Sequence, residues 1–529
     1  MSDTGESEPS RADQMTDVET TTPVSSMSAP QTPAWPVIRA TPDLALLLPP
    51  PADATGTEAT GAQATGTGAA IGPLAGRQVL VVCPEYAPRD PLPGAVPDGG
   101  AAPYTTAIAE HLATSADGVT VLTGVPRHAD GRVPAAYQHA LRTAEPGWYA
   151  LDHPHVMRLG RYGSGDRPRP GTVRRTLHEL TFLANALSAG RRRPADLVVG
   201  IVPGPGGAAA AARLAHRFGA PLVTVVQAPV GADGAGGAAR RLERYALRHS
   251  TRVAITAESF REQLLAAGVE PERLELLPAW SRVRPSTLSR AAARHALGWD
   301  QARFVAVATG PVGDQQDTAT AIGTARLLAT WPDDAAPAGR AGTGGAAGTG
   351  RAPIEILVVG EGPQRAALEQ QAFGVAGVRF GDPVDDALAL VLAAADVLLL
   401  GESAANRAAS GIATGGARGT ATTSGLLAGY LAAGRAVVAA VPAGSPTAAE
   451  LHRAGGAGIR VDPGDPVALA RVLLELRAAD DRREAMGRAG ARHARTHLDR
   501  RASLRRLDAI VEAALGDPGR SGHGATGGC

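Results

Sequence analysis

The chain has 529 residues, room for two domains and accessory segments, with a formal net charge of +1 and no lysine, so that all 52 of its basic side chains are arginine. A near-zero charge provides no global field for nucleic acid or an acidic membrane. The missing lysine excludes Schiff-base catalysis and a P-loop, which leaves arginine, backbone N–H groups and neutral side chains to hold any phosphate.

Residues 1–76 are rich in Ser, Thr, Pro, Ala and Gly, with repeated Ala-Thr-Gly steps near Ala54–Gly68. Such a segment buries too little apolar surface to offset its ordering entropy and is expected to be a disordered tail. Residues 335–352 and 403–423 share that composition and are expected to be loop insertions; 516–529 is expected to be a second tail. Cys83 and Cys529 cannot form a disulfide framework, and Cys83 falls in an apolar strand pattern as a small core residue. Met1–Ser10 has no apolar signal core, and no run of about 18 apolar residues occurs, so a cytoplasmic protein is expected.

The first element is the β-branched run Gln78–Cys83, typical of a buried parallel strand. A Pro- and Gly-rich loop closes with Asp98-Gly99-Gly100, and Tyr104–Leu112 has helical spacing. Strands are predicted at Val119–Leu122, Asp196–Ile201, Pro221–Gln227, Val253–Thr256 and Leu274–Leu277, most of them separated by helix-like segments. The pattern restarts beyond Pro278–Asp300. Strands Phe304–Ala308, Ile354–Val359, Val378–Phe380, Asp396–Leu400 and Ala436–Ala440 alternate with helices Asp317–Leu328, Gln364–Gln371, Asp385–Ala394 and Leu426–Ala433. Alternation of this kind predicts parallel sheets with right-handed crossovers, here two doubly wound, Rossmann-like α/β units in succession. The expected limits are 77–282 and 283–495, followed by a C-terminal helix over 496–515. Ligands of such sheets bind at the carboxyl ends of the strands, so a cleft shared by the two units is expected.

Three glycine loops fall at such strand ends. Gly99-Gly100 either brings backbone N–H groups close to a ligand or makes a plain tight turn. Thr309–Gly313 suits phosphate. In Gly360-Glu361-Gly362-Pro363 the carboxylate of Glu361 either accepts hydrogen bonds from sugar or ribose hydroxyls or is a helix N-terminal acid favoured by the dipole. Gly204–Gly207 is expected to pack a helix on a strand. His153 and His155 are spaced like a strand ligand pair beside Asp152, but a zinc site needs three or four ligands, so these and His111 are expected to be structural. Arg191–Arg193 is expected to end a helix in solvent, and Arg167–Arg175 to be either an ordinary basic loop or a membrane-surface contact. No metal-binding Asp-x-Asp lies in a strand-end loop, so no metal is expected.

Together these residues resemble the retaining enzymes of glycosyltransferase family 4, closest to the subgroup of colanic-acid-type exopolysaccharide synthesis. The resemblance runs from about Gln78 to Leu515. It rests on Val79–Val82, Pro88, Gly99-Gly100, Tyr104-Thr105, the stretch Val121–Val133, Leu276–Trp280, Gly310–Gln316, Val358–Pro363, Tyr430–Arg435 and Val461–Pro466. It implies the GT-B fold, two Rossmann-like domains facing across a cleft. The first domain takes the acceptor, with Gly99 and Gly100 as its acceptor and phosphate loop. The second holds the donor through Gly310, Gly313, Gln316, Glu361, Gly362, Ser424 and Gly425, with helix N-termini near Gly313 and Ser424-Gly425 meeting the diphosphate.

The implied partners are a nucleotide sugar of the UDP or GDP type, as co-substrate rather than cofactor, and a glycan or lipid-linked acceptor. Lipid-linked acceptors imply peripheral contact with the inner membrane face, and no nucleic acid is implied. The catalytic motifs are degenerate, and no catalytic residue is assigned. The acidic pair that many members carry falls at Ala421 and Gly429, the donor-loop cations at Pro311 and Gln316, and the subgroup's Ser-Lys near Ser424-Gly425. The expectation is therefore an active transferase making a cell-surface glycan, or a non-catalytic GT-B protein that binds a partner transferase or a glycan intermediate. A sugar-nucleotide 2-epimerase shares the fold, but its acidic and histidine residues have no counterpart here.

Overall fold

The computed structural model describes residues 72–87, 102–126, 133, 137, 142–144, 153–160, 172–202, 204–228, 237–281, 283–313, 317–331, 353–382, 387–402 and 425–517. In chain order the first lobe comprises β1 (Gln78–Val82), α1 (Ala102–Ala113), β2 (Gly118–Gly124), β3 (Arg142–Ala144), β4 (His155–Leu159), α2 (Thr172–Gly190), β5 (Leu197–Val202) and α3 (Pro205–Phe218). It continues with β6 (Leu222–Val226), α4 (Gly237–His249), β7 (Arg252–Ile255), α5 (Arg261–Ala266) and β8 (Leu274–Leu276).

The described strands of this lobe form a sheet in the order β3-β4-β2-β1-β5-β6-β7-β8. Every pairing is parallel except that of β3 with β4. Alternate side chains of β1 enter two different cores: Val79 and Val81 meet Ile108 and Leu112 of α1, while Leu80 and Val82 meet Phe182 of α2 and the alanines of α3. A strand covered on both faces has no polar side to display, which is why its sequence is a continuous apolar run. The core reaches back to Leu74, within the stretch expected to be a disordered tail.

Pro205 opens α3 and Gly219, at φ +64°, closes it by donating to the carbonyls of Ala215 and His216. The small residues of α3 allow close approach on two sides. A β-carbon at Gly200 would lie 2.9 Å from that of Ala211, and one at Gly206 would lie 2.4 Å from the carbonyl oxygen of Glu179. The Gly206-Gly207 pair therefore seats α3 on α2, a helix-on-helix contact rather than the helix-on-strand contact expected from sequence. The helix α2 also begins inside the expected basic loop Arg167–Arg175.

The second lobe contains α6 (Arg290–Leu297), β9 (Phe304–Thr309), α7 (Thr318–Thr330), β10 (Ile354–Val359), α8 (Arg365–Ala372), β11 (Val378–Gly381), α9 (Leu388–Ala394) and β12 (Val397–Gly401). A helix α10 over 425–432 precedes β13 (Ala436–Ala440), α11 (Pro446–Arg453), β14 (Gly458–Val461), α12 (Pro466–Arg477) and α13 (Asp480–His497). The described strands form an all-parallel sheet ordered β11-β10-β9-β12-β13-β14. At its amino edge Asp396 accepts from Arg290, Arg294 and the N–H of Val305. This buried, multiply bonded carboxylate ties α6 to the sheet far from the strands' carboxyl ends.

The last helix, α14 (Arg500–Leu515), follows the second lobe in sequence but packs on the first. Leu507, Ile510, Val511 and Ala514 are buried in the core of β1 and α1. Ser503 donates to the carbonyl of Pro278 at 3.2 Å, and His111 of α1 lies 2.8 Å from Asp508. His111 is thus part of the helix-to-lobe contact, in keeping with the structural role expected for it.

Candidate functional site

In the second sheet, strand order reverses between β9 and β12, the topological switch point at whose carboxyl edge open α/β sheets bind ligands. Four chain segments leave the sheet there: Gly310–Gly313 after β9, Gly360–Pro363 after β10, Glu402 after β12 and Val441-Pro442 after β13.

The first two segments clasp each other through backbone. Gly310 N–H donates to Val359 at 3.1 Å, Val312 N–H to Glu361 at 2.9 Å and Gln364 N–H to Val312 at 3.4 Å. A β-carbon at Gly360 would fall 1.9 Å from the carbonyl oxygen of Gly310, and one at Gly362 would fall 2.0 Å from that of Val312. These glycines are required where the two loops cross. Tyr430 of α10, buried, holds the same crossing from beneath, its hydroxyl accepting from Thr309 N–H at 2.7 Å. Burial raises the phenol above its ordinary value, so it stays a neutral donor and acceptor.

Asp317 sits at the centre of this edge. Its carboxylate caps α7 through Thr320 N–H at 3.1 Å and takes Gly464 N–H at 2.9 Å, tying the loop after β14 to the turn after β9. Glu361 is engaged by Arg365 at 2.7 Å, and the same guanidinium contacts Glu369 at 2.8 Å, Asp382 at 3.0 Å and the carbonyl of Gly360 at 2.9 Å. Gly425, the first described residue of α10, has nothing within 4 Å of the position a β-carbon would take.

Glu402 follows β12 directly. Its N–H donates to Ala440 at 2.9 Å, and its Oε1 accepts from Thr447 Oγ1, at the start of α11, at 2.6 Å. Burial raises its carboxyl above the ordinary value, against the opposing effect of the Thr447 bond.

In the first lobe the switch point lies between β1 and β5. Buried Arg158 of β4 fixes the chain leaving β1 by donating to the carbonyls of Tyr86 at 2.8 Å, Ala87 at 3.0 Å and Gly124 at 3.3 Å. The N-terminus of α3 has a built-in anion, with Gly206 N–H donating to the Glu179 carboxylate at 3.1 Å. Tyr104 of α1 stacks on Trp280, ring centres 4.1 Å apart, and donates to the carbonyl of Leu277 at 3.1 Å.

Family models match both lobes: a glycosyl transferase 4-like domain over residues 99–280 and glycosyl transferases group 1 over 347–478. The chain is a GT4-like glycosyltransferase. Its fold is GT-B-like, as the sequence predicts. It is shared with sucrose-phosphate synthase from Thermosynechococcus elongatus, at 15% identity and TM-score 0.57 over 82% of this chain and 98% of that one. Anabaena HepE in complex with UDP-glucose superposes with TM-score 0.54 at 15% identity, covering 82% and 98% of the two chains. WaaG, a glycosyltransferase involved in lipopolysaccharide biosynthesis, does so with TM-score 0.51 at 17% identity, covering 82% and 99%. No curated protein matches the GT4-like chain by sequence.

Of the residues expected from sequence to bind ligand, Gly310, Gly313, Glu361, Gly362 and Gly425 lie together at the carboxyl edge of the second sheet. Gly99, Gly100, Gln316 and Ser424 lie outside the described residues. Sequence reasoning does not single out Asp317, Glu402 or the Tyr430 hydroxyl; each acts through a partner distant in the chain. Among the described residues no group of three or more His, Cys, Asp or Glu could hold a metal ion, and no helix is long and apolar enough to cross a membrane.

Proposed function

We propose that the GT4-like chain transfers a sugar, with retention at the anomeric carbon, from a nucleoside-diphosphate donor to a glycan or lipid-linked acceptor in exopolysaccharide or other cell-surface glycan synthesis. Residues 77–282 form the acceptor domain and 283–495 the donor domain. The observation that carries the reading is the second lobe's switch point. There, clasped glycine loops and a part-buried carboxylate converge at one sheet edge.

Helix N–H groups near Gly313 and Ser424-Gly425 receive the departing diphosphate, in place of the lysine that the chain lacks. The likeness to HepE bound to UDP-glucose supports a donor of the UDP-sugar type, and the likeness to WaaG supports a cell-surface product. The membrane face that supplies a lipid-linked acceptor is the proposed place of work.

A second reading, a GT-B protein that binds its ligand or a partner transferase without catalysis, is favoured by Gly429. This glycine occupies the α10 position where the family resemblance places an acid. A thermal-shift screen against UDP, GDP, dTDP and their common sugars, followed by turnover with lipid-linked acceptors, separates the two. A shift with one nucleotide and measurable transfer supports the enzyme, and a shift without transfer supports the binding protein. No shift with any nucleotide overturns the donor-lobe assignment.

A further inference from the structure

We infer that Glu402 is the polyol-binding residue of the second lobe, its carboxylate accepting hydrogen bonds from adjacent hydroxyl groups of the sugar or ribose of the bound nucleotide sugar. The inference rests on the donor-lobe reading above and adds a residue that the family resemblance does not supply.

Glu402 is the residue after β12, and β12 with β9 flanks the switch point of the sheet, so its Cα lies at the crevice mouth where ligands of such sheets bind. Backbone holds it there: Gly401 pairs with Ala440 in the β12–β13 register, and the N–H of Glu402 continues that ladder onto the carbonyl of Ala440.

Thr447 Oγ1 donates to Oε1 at 2.6 Å and fixes the carboxylate, while Thr447 itself is fully buried in the first turn of α11. The second oxygen, Oε2, has no protein partner among the described residues, and it is not among the buried side-chain atoms left unsatisfied. An anchored carboxylate with one oxygen held and the other open to incoming groups can accept two hydroxyl hydrogens on neighbouring carbons.

A glutamate at this edge repels phosphate, so its complement is the neutral, hydroxyl-bearing part of a nucleotide sugar and not the diphosphate. The other acids of this edge are already engaged: Asp317 by Thr320 and Gly464, Glu361 by Arg365. Burial leaves the carboxylate poorly hydrated before the ligand arrives, so little water has to be displaced.

The test measures dissociation constants by calorimetry for wild type, Glu402→Gln, Glu402→Asp and Thr447→Val against the pairs UDP and UDP-glucose, GDP and GDP-mannose, and dTDP and dTDP-glucose. Melting curves confirm that each variant is folded. For the pair that wild type binds, Glu402→Gln and Glu402→Asp are expected to weaken the nucleotide sugar about tenfold or more, with Thr447→Val weakening it less. Loss confined to the nucleotide sugar places the bonds on the hexose, and equal loss with the bare nucleotide places them on the ribose; either supports the assignment. Wild-type binding that the Glu402 variants leave unchanged overturns the assignment alone. Wild type that binds no member of any pair overturns the donor reading and the assignment with it.

Discussion

Gly360 and Gly310 meet backbone to backbone, a β-carbon at 360 falling 1.9 Å from the carbonyl oxygen of Gly310. The atom approached is main chain, in a residue whose N–H is hydrogen-bonded to Val359 across the β9–β10 crossing, so a side chain cannot be accommodated by a change of rotamer. Gly360→Ala is expected to cost about 3 kcal/mol of stability, the upper end for overpacking, through separation of the two loops. Urea unfolding checks it, with Gly425→Ala, where the space is open, as the control expected to move stability by less than ~1 kcal/mol. Equal behaviour of the two variants would show that the loops are not clasped.

Arg158 anchors the first lobe's loop as Tyr430 anchors the second's. It is 1% exposed and bonds three carbonyls, with the Tyr86 ring 5.6 Å from its guanidinium carbon. Arg158→Met keeps the volume but strands buried acceptors, for an expected loss of roughly 2–4 kcal/mol. Because the chain leaving β1 leads toward Gly99-Gly100, acceptor KM is expected to rise while donor affinity stays constant. Kinetics with the acceptor varied at saturating donor read this out.

Elements covered on both faces are legible in the sequence because their whole length must be apolar. Thus the interiors of β1, β5, β12 and β13 show as runs of Val, Leu, Ile and Ala, broken inside only by Gly200 of β5. Strand β4, His-Val-Met-Arg-Leu, is not legible, because Arg158 interrupts it with a charge that only its distant carbonyl partners explain. The glycines of the second lobe's loops are visible as glycine-rich turns. Sequence alone does not tell whether such a glycine faces a ligand or another loop, since that depends on the register of β9 against β10, set by residues about fifty positions apart. Glu402 escapes notice for a similar reason. It borders a low-complexity stretch, and its partner Thr447 is 45 residues away. The placement of α14 on the first lobe is also hidden, because its apolar stripe declares that it packs without declaring on what.

The raised carboxyl of Glu402 makes stability depend on pH in a definite sense. Burial holds the folded value above that of the unfolded chain, about 4.3 for a glutamate. Between the two values the folded state binds the proton and the unfolded state does not, so this group's contribution to stability falls as pH rises through that window. Glutamine cannot titrate and is free of the penalty. Relative to wild type, Glu402→Gln is therefore expected to gain melting temperature as pH goes from about 4 to 7. Melting curves of both proteins across that range check it, and a difference that stays flat or reverses would mean that the carboxyl is well solvated.

The crossing of α14 to the first lobe predicts that a C-terminal substitution destabilises the N-terminal core. Leu507 is completely buried among Val79, Val81 and Ile108, and Ser503 and Asp508 fasten the same helix to Pro278 and His111. Leu507→Ala removes its packing and leaves a cavity, for an expected loss of about 2–5 kcal/mol. Asp508→Ala removes only a part-exposed pair and is expected to cost no more than ~1 kcal/mol. Hydrogen exchange locates the effect: in Leu507→Ala the amides of β1 and α1 lose protection, while those of β9 and β10 keep theirs. Loss confined to the second lobe would show that the helix packs there in solution, and that the long return from the second lobe to the first is not what joins the two halves of the chain.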